Sequence, residues 1–398
     1  MLEVRAGEIK PAGRPTVAEI NLDALAFNYR QVEKKIPKEV KILAVVKADA
    51  YGHGALPVSL ELEKLGVQYL AVAMSDEGVE LRQGGIKTPI LLLGGVYGED
   101  LDRVFEFDLT PVVFHIEALQ LLAREAERRK RNARVHLKVD TGMGRLGIPL
   151  SQWPDFLKEA VRMPRIEIEG ILSHYSMADD LGADEPGATE KEGASFTRRQ
   201  REAFEQAVGI GERMGIQFKY RHISNSAGLT ASPFLLHKGT ENLVRPGIIL
   251  YGSYPSSTFR ALIRLRPVMT LKTSIGLLKG VPRGEKISYG GTFITERESL
   301  IATLPVGYAD GYSRRLSNQA EVLIRGRRAP VVGRVCMDYA MADVTGIPEV
   351  SAGDEVVLMG KQGEEEITAE EIAEKIGSIS YEVFCLVGKR VPRIYTRQ

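Results

Sequence analysis

KILAVVKADAYGHGALPVSLELEKLGVQYLAVAM (residues 41–74) contains one complete repeat of a fold. KILAVVK (41–47) is an almost unbroken apolar run, which suits a strand buried on both faces of a parallel sheet better than an alternating, half-exposed one. ADAYGHG makes a turn, ALPVSLELEKLG (55–66) has helical character, and YLAVAM (69–74) is a second apolar run. A strand, a helix and a second strand in this spacing predict a right-handed βαβ unit.

The same beat continues outward, from about residue 40 to 255, through PILLLGG (89–95), LTPVVF (109–114), RVHLKVD (134–140), IEIEGILSHY (166–175), YRHISNS (220–226) and LVRPGIILYG (243–252). Between the fourth and fifth of these eight runs lies IEALQLLAREAERRKR (116–131), with Ile116, Leu119, Leu122, Ala123 and Ala126 on one helical face. Eight strands alternating with helices predict an α/β fold, a (β/α)8 TIM-like barrel. An open doubly wound sheet is the competitor, but no Gly-x-Gly-x-x-Gly follows the first strand. The acidic, glycine-rich stretch Ala178–Ala194 reads as a mobile surface loop near the barrel mouth.

Beyond YPSSTFR (254–260) the texture changes. RPVMTLKTSIGLLKG, SLIATLPVGYAD, AEVLIRG, APVVGRVCMDYAMADV and DEVVLMG are strand-like, closely spaced and joined by Gly and Pro turns. One late helix, TAEEIAEKIG, opens with Thr368 and Glu371 in capping-box spacing. The expected organisation is an N-terminal segment (1–22) that packs with the C-terminal domain, a barrel (23–255) and a mainly β domain (256–398).

Composition narrows the function classes. The 398 residues are 44% hydrophobic and 26% charged, as in a globular protein, and Lys+Arg 53 balances Asp+Glu 52. Near-zero net charge gives no electrostatic reason to expect nucleic acid or an anionic membrane as partner. The N-terminus, MLEVRAGEIKPAGRP, lacks the apolar core of a signal peptide, and no apolar run is long enough to span a bilayer. Cys336 and Cys385 lie in no Cys-x-x-Cys pair, so two reduced thiols and a cytoplasmic setting are expected. No His or Cys cluster has zinc-ligand spacing, and His53, His115, His136, His222 and His237 make no case from sequence. His136, alternating with Arg134 and Lys138 on a strand, reads as structural.

In barrels of this kind, functional side chains sit at the C-terminal strand ends and in the loops that follow. Lys47 ends the first run, where a lysine with a lowered pKa can serve as a Schiff-base amine. Position alone fits an ordinary solvent-reaching lysine equally well. The octapeptide KADAYGHG (47–54) decides between them, because it resembles the pyridoxal 5'-phosphate (PLP) lysine signature of the alanine racemase family. Further resemblances follow in order over nearly the whole chain: LKVDTGMGRLG, SHYSMAD, NSAG, VRPGIILYG, ISYGGTF, LPVGYADGY, GRVCMD and SYEVFCLVGKRVPR. Asp49 stands where many members carry Asn, and Tyr175 where many carry Phe.

The resemblance implies an isomerase that interconverts L-alanine and D-alanine with PLP, supplying D-alanine for peptidoglycan. It implies that Lys47 holds PLP and acts as proton carrier on one face of the substrate, while Tyr289, from the second subunit of a homodimer, acts on the other. A phenol has a reference pKa of about 10, so such a tyrosine needs a cationic or hydrogen-bonding neighbour, a part the family gives to His174 and Arg245. Arg245 matches the arginine facing the PLP pyridine nitrogen. Ser226, Gly247 and Ile248 fall where a barrel of this type binds phosphate, and Tyr51 and Tyr381 match further phosphate contacts. Arg145 matches a contact to the substrate carboxylate, with Met337 offering a backbone amide. Lys138 matches a lysine that some members carry as a carbamate, and Tyr308 a residue of the narrow passage to the site. Two other readings use the same scaffold: a racemase for serine or other small residues, and a basic amino-acid decarboxylase. A third, a non-catalytic PLP-binding protein, would lack the second domain that carries ISYGGTF and GRVCMD.

Overall fold

The structure is a computed structural model that describes residues 13–98, 100–180, 192–231 and 240–397. It divides into two compact units: Ala26–Ala50 with Ala55–Leu265, and Met1–Leu25 with Tyr51–Gly54 and Arg266–Gln398.

The first unit carries eight parallel strands in sequential order: Lys41–Val45, Tyr69–Val72, Ile90–Leu92, Leu109–Val113, Ala133–Asp140, Ile166–Leu172, Tyr220–His222 and Leu243–Val244. All eight apolar runs of the sequence are therefore strands. Nearly every residue in the first four is buried, because helices cover one face and the barrel interior the other. Leu243–Val244 returns to pair with Lys41–Val45, which brings the sheet almost to closure. At the remaining seam, single hydrogen bonds do the work of a ladder: Asn242 N donates to the Arg221 carbonyl and Arg245 N to the Ser224 carbonyl, both at 3.0 Å. Buried Glu241 accepts there from the Ile223 and Ser224 amides, also at 3.0 Å.

One strand pair departs from regular register. Val135 faces Ile168 and His136 faces Gly170, so Glu169 is the extra residue of a β-bulge. A bulge re-aims side chains, and Glu169 is buried where Glu167, two residues earlier, is exposed. The helix at Ile116–Arg129 buries the apolar face read from the sequence, and His115 caps it by accepting from Ala118 N at 3.2 Å.

The second unit is mainly β. Its main sheet runs Arg327–Pro330, Glu321–Ile324, Glu355–Gln362, Met269–Ser274, Val17–Asn21 and Arg393–Thr396. Val17–Asn21 lies antiparallel to Met269–Ser274 and parallel to Arg393–Thr396. Met269–Ser274 alternates buried and half-buried residues, as a sheet covered on one face should. A separate sheet of Leu277–Val281, Ser299–Leu304 and Ala340–Asp343 packs Val281, Ile287, Ile301 and Val332 into a small core. The late helix is Ala369–Ile376; Thr368 Oγ1 accepts from Glu371 N at 3.1 Å, and Gly377 ends it with φ +68°. Among the described residues no helix is long and apolar enough to cross a membrane. Most of the expected loop Ala178–Ala194 lies outside the described residues, although its last three residues belong to the helix Glu192–Arg213.

Candidate active site

Lys47 follows directly on the first barrel strand and begins a turn of unusual hand. Ala48, Asp49, Ala50 and Tyr51 all have φ between +53° and +54°. An L-residue in this region costs roughly 1–2 kcal/mol, so something must hold the turn. Ala50 N donates to the Val46 carbonyl at 2.9 Å, Ala48 N to Glu77 Oε1 at 2.5 Å, and Ala55 N to Asp49 Oδ1 at 2.7 Å. Asp49 thus has a structural task that an asparagine could share through its own side-chain oxygen.

The barrel unit also brings together Lys138, Arg145, His174, Arg245, Ser226 and Gly247. Arg245, 3% exposed, is fixed by four partners: its Nη1 donates to His222 Nδ1 at 2.8 Å, and its Nη2 to the Ser173 and Ile223 carbonyls at 2.6 and 2.9 Å and to His174 Nδ1 at 3.1 Å. Burial pulls its pKa down to about 10, which leaves it charged at neutral pH. Ser226 Oγ accepts from Gly247 N at 2.9 Å, joining the last two strand ends, and Ile248 starts the short 3-10 helix that follows. Asn225, which the sequence reading passed over, donates to the Tyr175 carbonyl at 3.1 Å and lies 3.4 Å from His174 Nε2.

Electrostatics mark this end of the barrel as cation-rich. Burial first, then Arg245, Arg145 and Lys47, depress Lys138 to about 8, against one opposing carboxylate, Asp140. The same charges, after burial, hold His174 well below the usual histidine range and so neutral. Two buried cations, Lys138 and Arg245, with half-buried Lys47 and exposed Arg145 acting on them, call for an anion. A phosphate or a carboxylate is the chemistry that fits that demand.

The remaining sequence-derived residues lie in the β unit. Tyr51 and Tyr381 face each other with ring centroids 6.0 Å apart, and burial drives the Tyr51 phenol up. Gly52 is obligatory beside them, since a Cβ would stand 2.4 Å from the Phe384 carbonyl oxygen. Tyr289, Tyr308 and Met337 are exposed by 72%, 43% and 53%. Tyr308 N and Ala309 N donate to the Cys336 and Met337 carbonyls at 3.0 and 3.1 Å, which ties two of these segments together. Ser288 sits at φ +64°, its hydroxyl donating to the Arg334 carbonyl at 2.6 Å, and this strained residue presents Tyr289. Tyr289 borders a cleft of about 780 Å³ with Ser288, Cys336 and Met341.

His222 and His136 give the clearest difference from the sequence reading. Both are fully buried, and His222 is a direct partner of Arg245. The available signal was the alternation of Arg134, His136 and Lys138, which puts an imidazole on the inward face below Lys138. His237 lies outside the described residues.

Known proteins place this geometry. Residues 20–255 match the family model of the alanine racemase N-terminal domain, and residues 268–395 that of the C-terminal domain. The alanine racemase of Geobacter sulfurreducens is 47% identical over 385 residues, covering 96% of this chain and 97% of that protein. The crystal structure of alanine racemase from Bacillus anthracis with bound L-Ala-P is similar at TM-score 0.88 and 37% identity, covering 98% of this chain and 96% of the other. That of Bartonella henselae, with covalently bound pyridoxal phosphate, gives TM-score 0.81 and 26% identity over 96% and 100% of the two chains.

Proposed function

The chain belongs to the alanine racemase family, whose members are PLP-dependent isomerases, and from that premise we propose that it interconverts L- and D-alanine with two proton carriers. The observation that carries the proposal is the lysine on a braced left-handed turn at a barrel end where buried Lys138 and Arg245 share the field of Arg145 and Lys47. PLP, when bound, supplies the electron sink that stabilises a carbanion at the substrate α-carbon.

The chain's own residues supply the rest. Lys47 would hold the cofactor, and its amine would move the α-proton on one face of the substrate. Tyr289 of the partner subunit serves the other face, since inversion needs a donor opposite the acceptor. Its exposure supports this role, because an exposed aromatic beside a cleft is ready to be covered by a second chain. His174 and Arg245 give the phenol the polar neighbours it needs. Arg245 donates to the pyridine nitrogen, and as a permanent donor leaves that nitrogen unprotonated. Ser226, Gly247, Ile248, Tyr51 and Tyr381 hold the phosphate. Arg145 and the Met337 amide hold the substrate carboxylate, and Tyr308 narrows the passage to small side chains. Lys138, partly neutral near pH 8, is the amine to form a carbamate beside Arg145; intact mass with bicarbonate present tests this. A homodimer follows, with the β unit of each protomer serving the other's site. D-alanine for peptidoglycan and a cytoplasmic setting complete the reading, the latter in keeping with Cys336 and Cys385 forming no disulfide.

The test is D-alanine formed from L-alanine by the purified protein, with and without added PLP, beside L-serine. PLP-dependent turnover of alanine well above serine is expected. Comparable rates would replace the proposal with a broader small-residue racemase, since a methyl and a hydroxymethyl differ modestly in pocket energy. No turnover of either would remove the role given to Tyr289.

A further inference from the structure

Beyond Arg245, a file of buried polar groups runs through the barrel unit. His222 Nε2 lies 2.8 Å from His136 Nδ1, and His136 Nε2 lies 3.4 Å from Glu169 Oε2. Glu169 also accepts from the Tyr69 hydroxyl at 2.7 Å and, through Oε1, from Lys219 Nζ at 2.9 Å. Tyr69 in turn touches Thr110 Oγ1 at 3.2 Å, and the Tyr220 ring stacks on His136. Both imidazoles are fully buried, and Glu169 is 4% exposed.

Elementary donor counting fixes the direction of every bond in the file. Arginine has donors only, so His222 Nδ1 accepts from Arg245. A neutral His222 then carries its proton on Nε2 and donates to His136 Nδ1. His136 therefore carries its own proton on Nε2 and donates to the Glu169 carboxylate. Burial keeps both rings below the usual histidine range, in agreement with neutral imidazoles. For Glu169, burial works to raise the pKa, but hydrogen bonds from His136, Lys219 and Tyr69 outweigh it and hold the group at about 2, an anion.

We propose that Glu169 is a positioning residue for Arg245: its carboxylate locks His136 and His222 in one tautomer, so that His222 always offers Arg245 a lone pair. Two local features serve this and little else. The bulge turns Glu169 inward, and Gly170 leaves room for the His136 ring, whose Nδ1 a Cβ there would approach to 2.6 Å. The part played by Arg245 toward the cofactor rests on the proposed function, whereas the tautomer lock does not.

The test is the protonation site of each ring in protein labelled with 15N-histidine, read from long-range proton–nitrogen correlations with and without PLP. The chain has six histidines, so single substitutions assign the two signals. In the wild type both rings should carry the proton on Nε2. In Glu169→Gln, Lys219 takes the amide oxygen and the amide NH2 turns to His136, whose Nε2 must now accept. Both rings then shift to the Nδ1-protonated form, from undetectable to the majority, and the His222 contact to Arg245 is lost. Lys219→Met, which keeps the carboxylate, should leave both rings as in the wild type. A purely space-filling Glu169 would leave the tautomers unmoved in Glu169→Gln, and that result overturns the proposal. So does Nδ1 protonation in the wild type, which needs no variant to fold. Absence of racemase turnover would break the functional reading while leaving these spectra as expected.

Discussion

The two units hold their functional residues in opposite ways. In the barrel, Arg245 is 3% exposed and Lys138 7%, and both terminal nitrogens of the Arg245 head have named partners. In the β unit, Tyr289 and Met337 are more than half exposed, on segments joined to the unit by backbone hydrogen bonds. The barrel site is organised by its own interior. The β-unit residues are uncovered, which under the proposed function leaves them for another chain to cover. If the proposed shared site holds, one subunit supplies a buried charged pocket and the other an exposed rim.

The largest effects should come from breaking each half. Lys47→Ala should lower D-alanine formation by more than about 10³-fold, and Tyr289→Phe by about 10²–10⁴-fold, the range for a lost general acid or base. Mixed under conditions that exchange subunits, the two inactive chains should recover activity, because each heterodimer holds one native site. Recovery absent despite demonstrated exchange would mean that both residues act within one chain, and the contrast between pocket and rim would fail.

Within the barrel, the buried charge of Lys138 makes a pH signature. Its folded pKa of about 8 lies below the ordinary 10.5, so between these values the unfolded chain binds more protons and stability rises with pH. The span corresponds to roughly 3 kcal/mol. Lys138→Met should remove that rise, seen as the difference between urea midpoints of the two proteins from pH 7 to 11 in bicarbonate-free buffer. Parallel curves would show that the charge is solvated. Glycines extend the comparison at smaller cost. Gly170→Ala should destabilise by about 1–3 kcal/mol, because its methyl meets the His136 ring. Gly280→Ala, on an exposed β-unit strand with nothing within 4 Å of the new atom, should stay within about 0.5 kcal/mol. Equal thermal shifts for the two would contradict the tight interior described here.

The sequence was most legible where one residue type has one explanation. Eight apolar runs fit strands of a parallel sheet, and all eight are strands, the first four buried nearly throughout. Lys47 stood out because KADAYGHG is specific, although nothing in the octapeptide announced a left-handed turn from Ala48 to Tyr51; that turn is braced by distant Glu77 as well as locally by Asp49 accepting from Ala55 N. The file from His222 to Glu169 was illegible for a related reason. Its members come from three separate strands, and Glu169 points inward only because of a bulge that period-two reading places on the wrong face. His136 was read as structural from its alternation, which located its face correctly but not its partners.

The smallest expected effect isolates burial as the difference between the units. Arg328 in the β unit is also the centre of a network, donating to Glu321, Glu365 and Glu371 at 3.0, 2.9 and 2.9 Å. Those hydrogen bonds, Glu371 first, push its pKa up, as the Glu169 network pushes a carboxylate down. Arg328, however, is 29% exposed and its carboxylates 26–46%, so water and salt share the work. Arg328→Met should therefore cost about 1 kcal/mol or less at low salt and less again at 1 M, where the screening length falls to about 3 Å. The cost of Glu169→Gln, a 4% exposed group between buried His136 and Tyr69 although its partner Lys219 is exposed, should change less with salt. Denaturation in urea at two NaCl concentrations separates the cases. Equal salt sensitivity would mean that the barrel file is as wet as the surface network, and that geometry alone, without exclusion of water, orders Arg245.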